Sequence, residues 1–237
     1  MWPVGFSTGA VALGDFDLAI HLLAGLRVEA IELSALRLAE LPSLIAALDR
    51  LDLRTFSHVS LHAPSSFSAA EEPSVIEQLK VAADRGHFVV NHPDAMHELT
   101  SWRILADRLC IENMDKRKPV GRTADELRPF FDALPSANLC FDIAHSRQVD
   151  SSMTEAYRLL RKFGERVRQV HVSEVNTSSR HSRMSPSAAA DYAQVLDLIP
   201  SDAAFIIEAQ VPVDDLGQEL ASVQRLLSSV RRSEAVA

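Results

Sequence analysis

Cysteine is scarce in this chain, with only Cys110 and Cys140 among 237 residues. Two thiols cannot make a disulfide framework. Both lie inside apolar, strand-like runs, where a buried free thiol is the ordinary outcome, and a reducing, cytoplasmic setting is expected. Glycine is scarce as well, at eight residues, so loops are expected to be short. Gly5, Gly9 and Gly14 do not have the spacing of a dinucleotide-binding fingerprint. No apolar run reaches the roughly 18 residues that a membrane-spanning helix needs. The opening Met1-Trp2-Pro3-Val4-Gly5 has neither a basic nor an apolar leader region, so no signal peptide is expected. Aromatic residues make up only 6%, and net positive charge is absent: the formal charge is -8 and the pI about 5.6. Tight nonspecific binding to nucleic acid or to an anionic membrane is therefore not expected.

Hydrophobic residues are plentiful, at 47%, enough for a sizeable core. They fall into short runs read as strands at Val4–Ser7, Ala30–Leu33, Val59–His62, His87–Asn91, Leu109–Glu112, Leu139–Asp142, Val167–Val172 and Ala204–Glu208. Amphipathic stretches between them predict helices, most clearly at Asp15–Leu26, Ser74–Arg85, Thr123–Leu134, Ser152–Phe163, Ser187–Leu198 and Asp214–Leu227. Ser74, Thr123 and Ser152 each precede a glutamate by three residues, the pattern of a capping box. Strands alternating with helices over this length predict a single (β/α)8 barrel across 1–230, followed by a frayed tail, 231–237. An open doubly wound sheet is the runner-up. Nothing in the sequence sets an oligomeric state.

Four runs end in ligand-type side chains: Cys110-Ile111-Glu112-Asn113, Phe141-Asp142-Ile143-Ala144-His145, Val170-His171-Val172-Ser173 and Ile206-Ile207-Glu208. Parallel strands would deliver these carboxylates and imidazoles to one end of a sheet. In a barrel that end carries the active site. The third strand ends in His62 and the fourth in Asn91-His92-Pro93-Asp94, so strands three to eight each offer a candidate ligand at one rim. Such an oxygen and nitrogen set suits a divalent ion, whether Mn, Zn, Mg, Co or Fe. The alternative for the acids is a set of structural salt bridges.

These segments, with His62-Ala63-Pro64 and His92-Pro93, resemble the xylose-isomerase-like TIM barrels. That superfamily holds sugar isomerases and epimerases and the endonuclease IV (AP endonuclease 2) type of nuclease. The resemblance implies a metal quartet of Glu112, Asp142, His171 and Glu208, with Glu112 and Glu208 also acting as acid and base on a sugar. It implies a further metal site at His62 and His92, as in the nucleases, although these histidines can instead contact substrate. A third nuclease-type site would use His145 and an Asp-x-His pair. Here that pair reads Ser179-Arg180-His181, so its aspartate is missing.

Glu32, at the end of the second strand, is read either as a substrate contact or as a loop anchor. His145, His181 and Arg180 are candidate substrate contacts. His21, His58, His87 and His97 read as structural. Two basic clusters, Asp115-Lys116-Arg117-Lys118 with Arg122, and Arg180 with Arg183, fall on loops of the active face and suit a phosphate or carboxylate. The leading functional expectation is metal-dependent isomerisation or epimerisation of a small sugar, sugar phosphate or polyol through an enediolate. Metal-dependent phosphoester hydrolysis is the alternative, and a barrel that only binds a metabolite is the third reading.

Overall fold

The computed structural model describes residues 2–234. Eight parallel strands close into one barrel in sequence order. They are β1 (Val4–Ser7), β2 (Ala30–Ser34), β3 (His58–His62), β4 (Phe88–Asn91), β5 (Leu109–Glu112), β6 (Asn138–Asp142), β7 (Val167–Val172) and β8 (Ala204–Ile207). The helices are α1 (Thr8–Ala12), α2 (Phe16–Leu23), α3 (Leu41–Ala47), α4 (Glu72–Asp84), α5 (Ala124–Ala133), α6 (Ile143–Val149), α7 (Thr154–Phe163), α8 (Pro186–Ala193) and α9 (Leu216–Glu234). The expected (β/α)8 architecture is thus the observed one. Among the described residues no helix is long and apolar enough to cross a membrane. Residues 231–234 continue α9, and residues 235–237 of the expected tail lie outside the described part.

Strand parity sorts the side chains into two cores. Successive residues point to opposite faces of a strand. Phe6, Ile31, Leu33, Leu61, Val89, Ile111, Phe141, Val170, Phe205 and Ile207 join the large core outside the barrel, against the helices. The other parity fills the lumen. Its apolar members are small and form two little clusters, Ala30 with Ala204 and Ile206, and Val90 with Cys110 and Cys140. Both thiols are free and buried, as expected. At Gly5 the approach of β1 to β2 leaves no room for a side chain: a Cβ there would lie 1.6 Å from the Ala30 carbonyl oxygen.

The helix starts differ in part from the sequence patterns. Thr123 caps α5, accepting from the Glu126 amide at 3.2 Å. Ser74 does not cap α4, because Pro73 fits the first turn and the helix begins earlier, at Glu72. Ser152 is not the cap of α7 either; the cap position is Met153, and the Glu155 amide donates to Asp150. Between β4 and β5 the chain runs through a 3-10 stretch, Leu99–Arg108, interrupted at Ala106 with φ 49°. The short helices α1, α3 and α6 carry too little periodicity to be read from the sequence.

Candidate metal centre

The carboxyl ends of β3 to β8 bring the candidate ligands together on the barrel floor. Glu112, the last residue of β5, is at their centre and only 1% exposed. Its Oε2 lies 3.2 Å from His62 Nε2 and 3.4 Å from His92 Nε2. Its Oε1 lies 3.3 Å from His145 Nδ1 and 3.5 Å from His171 Nδ1. Each oxygen therefore faces its own pair of imidazoles. Burial opposes ionisation, but the fields of His171 and His92 and hydrogen bonding to imidazole dominate and hold the carboxyl well below the usual range.

Local hydrogen bonds aim the ligands. Asp142 ends β6, and its Oδ1 caps α6 by accepting from the His145 amide at 2.6 Å. Its Oδ2 is buried and has no hydrogen-bond partner among the described residues. Asn113 ties β5 to β6, donating to the Asp142 carbonyl and accepting from the Asp142 amide, both at 2.8 Å. His62 Nδ1 donates to the Ala63 carbonyl at 2.8 Å, which turns its Nε2 toward Glu112. His171 Nδ1 is likewise buried without a hydrogen-bond partner among the described residues and lies 3.4 Å from Glu208 Oε2.

Ligand-type atoms from three residues approach within 4.8 Å of one another in several overlapping groups. These are His62, His92 and Glu112; Glu112, Asp142 and His171; Glu32, His171 and Glu208; and Asp142, His145 and His181. Asp142 Oδ2, 3.4 Å from His145 Nδ1, and His171 Nδ1 both lack a hydrogen-bond partner among the described residues, and a bound cation would satisfy them. The donor set fits a divalent ion of the Mn, Fe, Co or Zn type.

A cavity of about 340 Å³ opens above these groups. Its wall includes Ser7, Ser34, His62, His92, His145, His181, Glu208, Arg117 and Lys118. Of the two basic clusters, only the β5 loop reaches it. Arg180 is exposed outside the cavity wall, and Arg183 pairs with Asp215 at 2.9 Å and Glu219 at 3.2 Å. Ser179, where the third nuclease-type site would need an aspartate, has φ 50° and lines the cavity. Glu32 does not line it. It is fully buried behind His171, accepting at Oε2 from His171 Nε2 at 3.0 Å and from Gln169 Nε2 at 2.6 Å.

Gln169 and His58, which share this buried contact, were not among the candidate site residues. The signal for them was parity: Gln169 stands two residues before His171, and His58 four before His62, so each shares a face with a ligand.

No protein-family model matches the chain, and neither does any curated protein. Solved structures do. Endonuclease IV from Thermus thermophilus is 19% identical, with 98% of this chain and 99% of that one covered and a TM-score of 0.61. SacUVDE is 12% identical, with coverage of 95% and 99% and a TM-score of 0.58. A protein assigned as a sugar phosphate isomerase/epimerase, from Anabaena variabilis, is 14% identical, with coverage of 93% and 88% and a TM-score of 0.51. The chain shares the (β/α)8 barrel fold of these structures. At these identities the likeness is one of fold, and the activity has to be argued from the cavity floor itself.

Proposed function

We propose that this xylose-isomerase-like barrel is a divalent-metal-dependent hydrolase of small, anionic phosphoesters. One observation carries the choice over epimerisation: both oxygens of Glu112 face imidazole pairs, His62 with His92 and His145 with His171. Epimerisation through an enediolate calls for proton-transferring groups on opposite faces of the substrate, and the sequence offered Glu112 and Glu208 for those roles. A carboxylate so enclosed, only 1% exposed, has little access to a substrate proton. It is well suited to share two cations, one oxygen to each, a pattern common in phosphoester hydrolysis.

His62, His92 and Glu112 would hold one ion, and Glu112, Asp142, His171 and Glu208 another. When bound, such ions supply Lewis-acid charge to a phosphoryl group. The chain's own groups do the rest. Glu208 is only partly buried; desolvation raises its pKa, against the lowering fields of His171 and His181. It is the acid in the set best able to take a proton from an attacking water. Arg117 and Lys118, in the cavity wall, hold the unreacting phosphate oxygens, although Lys118 also pairs with Asp94 at 2.8 Å. His145 and His181 orient the ester group.

The acidic surface argues for a small substrate rather than duplex DNA. Duplex DNA is expected to bind no better than the about 10⁻⁴ to 10⁻⁶ M typical of nonspecific contacts at physiological salt. The test is a panel of phosphomonoesters and phosphodiesters with Mn or Zn, read by phosphorus NMR. Turnover that falls by about a hundredfold or more in Glu208→Gln is expected. A second reading, isomerisation with Glu208 as the only base, draws on the same raised carboxyl. Incorporation of solvent deuterium into sugar carbon, without phosphate release, would replace hydrolysis with it.

A further inference from the structure

The lumen holds a line of polar side chains that reaches from the far end of β3 to the metal centre. His58 Nε2 lies 2.9 Å from Gln169 Oε1, and Gln169 Nε2 lies 2.6 Å from Glu32 Oε2, which also receives His171 Nε2 at 3.0 Å. Glu32, Gln169 and His171 are completely buried and His58 nearly so. Around them lie apolar groups, two thiols and the Ser60 hydroxyl, among them Ala30, Val90, Ile206, Cys110 and Cys140.

We propose that Gln169 and His58 are positioning residues that act through Glu32 to fix which ring nitrogen of His171 faces the cavity. The inference rests on the metal-centre reading above and adds to it the residues that set one ligand's tautomer.

The hydrogen bonds fit one order of donors when a cation occupies the centre. A carboxylate only accepts, so the Gln169 group against Glu32 is the NH2. That turns Gln169 Oε1 toward His58, which must donate from Nε2. His58 is held neutral: burial lowers its pKa and outweighs the raising effects of Gln169 and Glu32. Its single ring hydrogen is therefore committed to Gln169. With a cation on Nδ1, toward Glu112 and Glu208, the ring hydrogen of His171 is on Nε2 and goes to the same Glu32 oxygen. Gln169 Nε2 lies 2.8 Å from His171 Nε2, so the amide and the ring nitrogen meet side by side at that oxygen.

Loss of the first donor removes the reason for the order. Without His58, nothing prevents the Gln169 amide from turning over and setting its oxygen against Glu32. In a small, apolar lumen such a mismatch is not relieved by solvent. The His58 ring is itself fixed by stacking on Phe88 at 5.2 Å, and Arg108 lies 5.1 Å from the far ring centroid of Phe88.

Metal titration of the full chain and its variants tests this, with Zn or Co(II) alone as the probe and circular dichroism confirming the fold. Wild type is expected to bind. His58→Leu is expected to bind about tenfold or more weakly. In the Co(II)-loaded protein it should lose or move the shifted, exchangeable proton resonance of the His171 ring. His58→Gln, which keeps a donor, should restore both. Gln169→Met should weaken binding as well. Because the residues act in series, adding His58→Leu to Gln169→Met should weaken it no further. If wild type binds while His58→Leu binds equally and keeps the resonance, the proposal is overturned. If His58→Leu does not fold, wild-type affinity and an unmoved His171 resonance in Gln169→Met overturn it. Failure of the wild-type chain to bind any divalent ion overturns the metal-centre reading first, and this proposal with it.

Discussion

His171 is held from both sides: its Nε2 lies 3.0 Å from Glu32 Oε2, and its Nδ1 lies 3.4 Å from Glu208 Oε2. The first contact is a hydrogen bond between fully buried partners. The second sets a ring nitrogen beside a carboxylate oxygen, a place that a proton and a divalent cation compete for. A carboxylate behind a ligating histidine sets the ring's orientation and raises its basicity. Glu32→Gln should therefore weaken divalent-metal affinity by about 10- to 100-fold while the barrel stays folded. Calorimetric titration with Zn or Mn checks this, and an unchanged affinity would detach Glu32 from the centre.

The metal-free protein should lose stability as the pH rises. Burial lowers the His62 pKa, but the Glu112 hydrogen bond and the charges of Glu32 and Glu112 outweigh it and push it up to about 9. Burial likewise opposes protonated His145, and Asp142 and Glu112 push it up to about 10. Both folded-state values lie above the ordinary 6.5. The stability they contribute is present below that value and is lost as the pH climbs through 9 and 10. Metal binding has the opposite slope over this window, because ligation needs the neutral rings. The difference in melting temperature with and without chelator should widen from pH 6.5 toward 9. A constant difference would mean that protons and metal do not compete for these imidazoles.

Gly5→Ala tests the barrel rather than its chemistry. The added Cβ meets backbone, the Ala30 carbonyl at 1.6 Å, and not the end of a flexible side chain. A loss of about 3 kcal/mol is expected. Urea unfolding measures it, and a loss within experimental error would mean that β1 and β2 separate easily.

The barrel and its ligand rim were legible in the sequence because each ligand ends an apolar run. Leu109–Glu112 and Val167–Val172 stand with the bounds expected, and Glu112, Asp142 and His171 lie together with Glu208 beside His171. The lumen was much less legible. Its residues alternate with the outer core inside runs that read simply as apolar, so Gln169 drew no reading and His58 read as structural. Glu32 was visible, but whether it met the cavity or another side chain depends on the stagger of β2 against β7 across the lumen, which no local pattern encodes. A second site at His62 and His92 was open to the sequence; that His145 and His171 crowd the other oxygen of Glu112 was not, since it depends on β5, β6 and β7 together.

The central claim is that Glu112 joins two cation sites, and the most direct measurement is the number of ions per chain. The protein is stripped with chelator, equilibrated with Mn or Zn, freed of excess metal and analysed by mass spectrometry. Two or more ions per chain are expected, falling by one in the double variant His62→Ala, His92→Ala, because those imidazoles face the Glu112 oxygen that His145 and His171 do not. A single ion in the wild-type chain, unchanged in the double variant, would contradict the shared site and with it the case for hydrolysis.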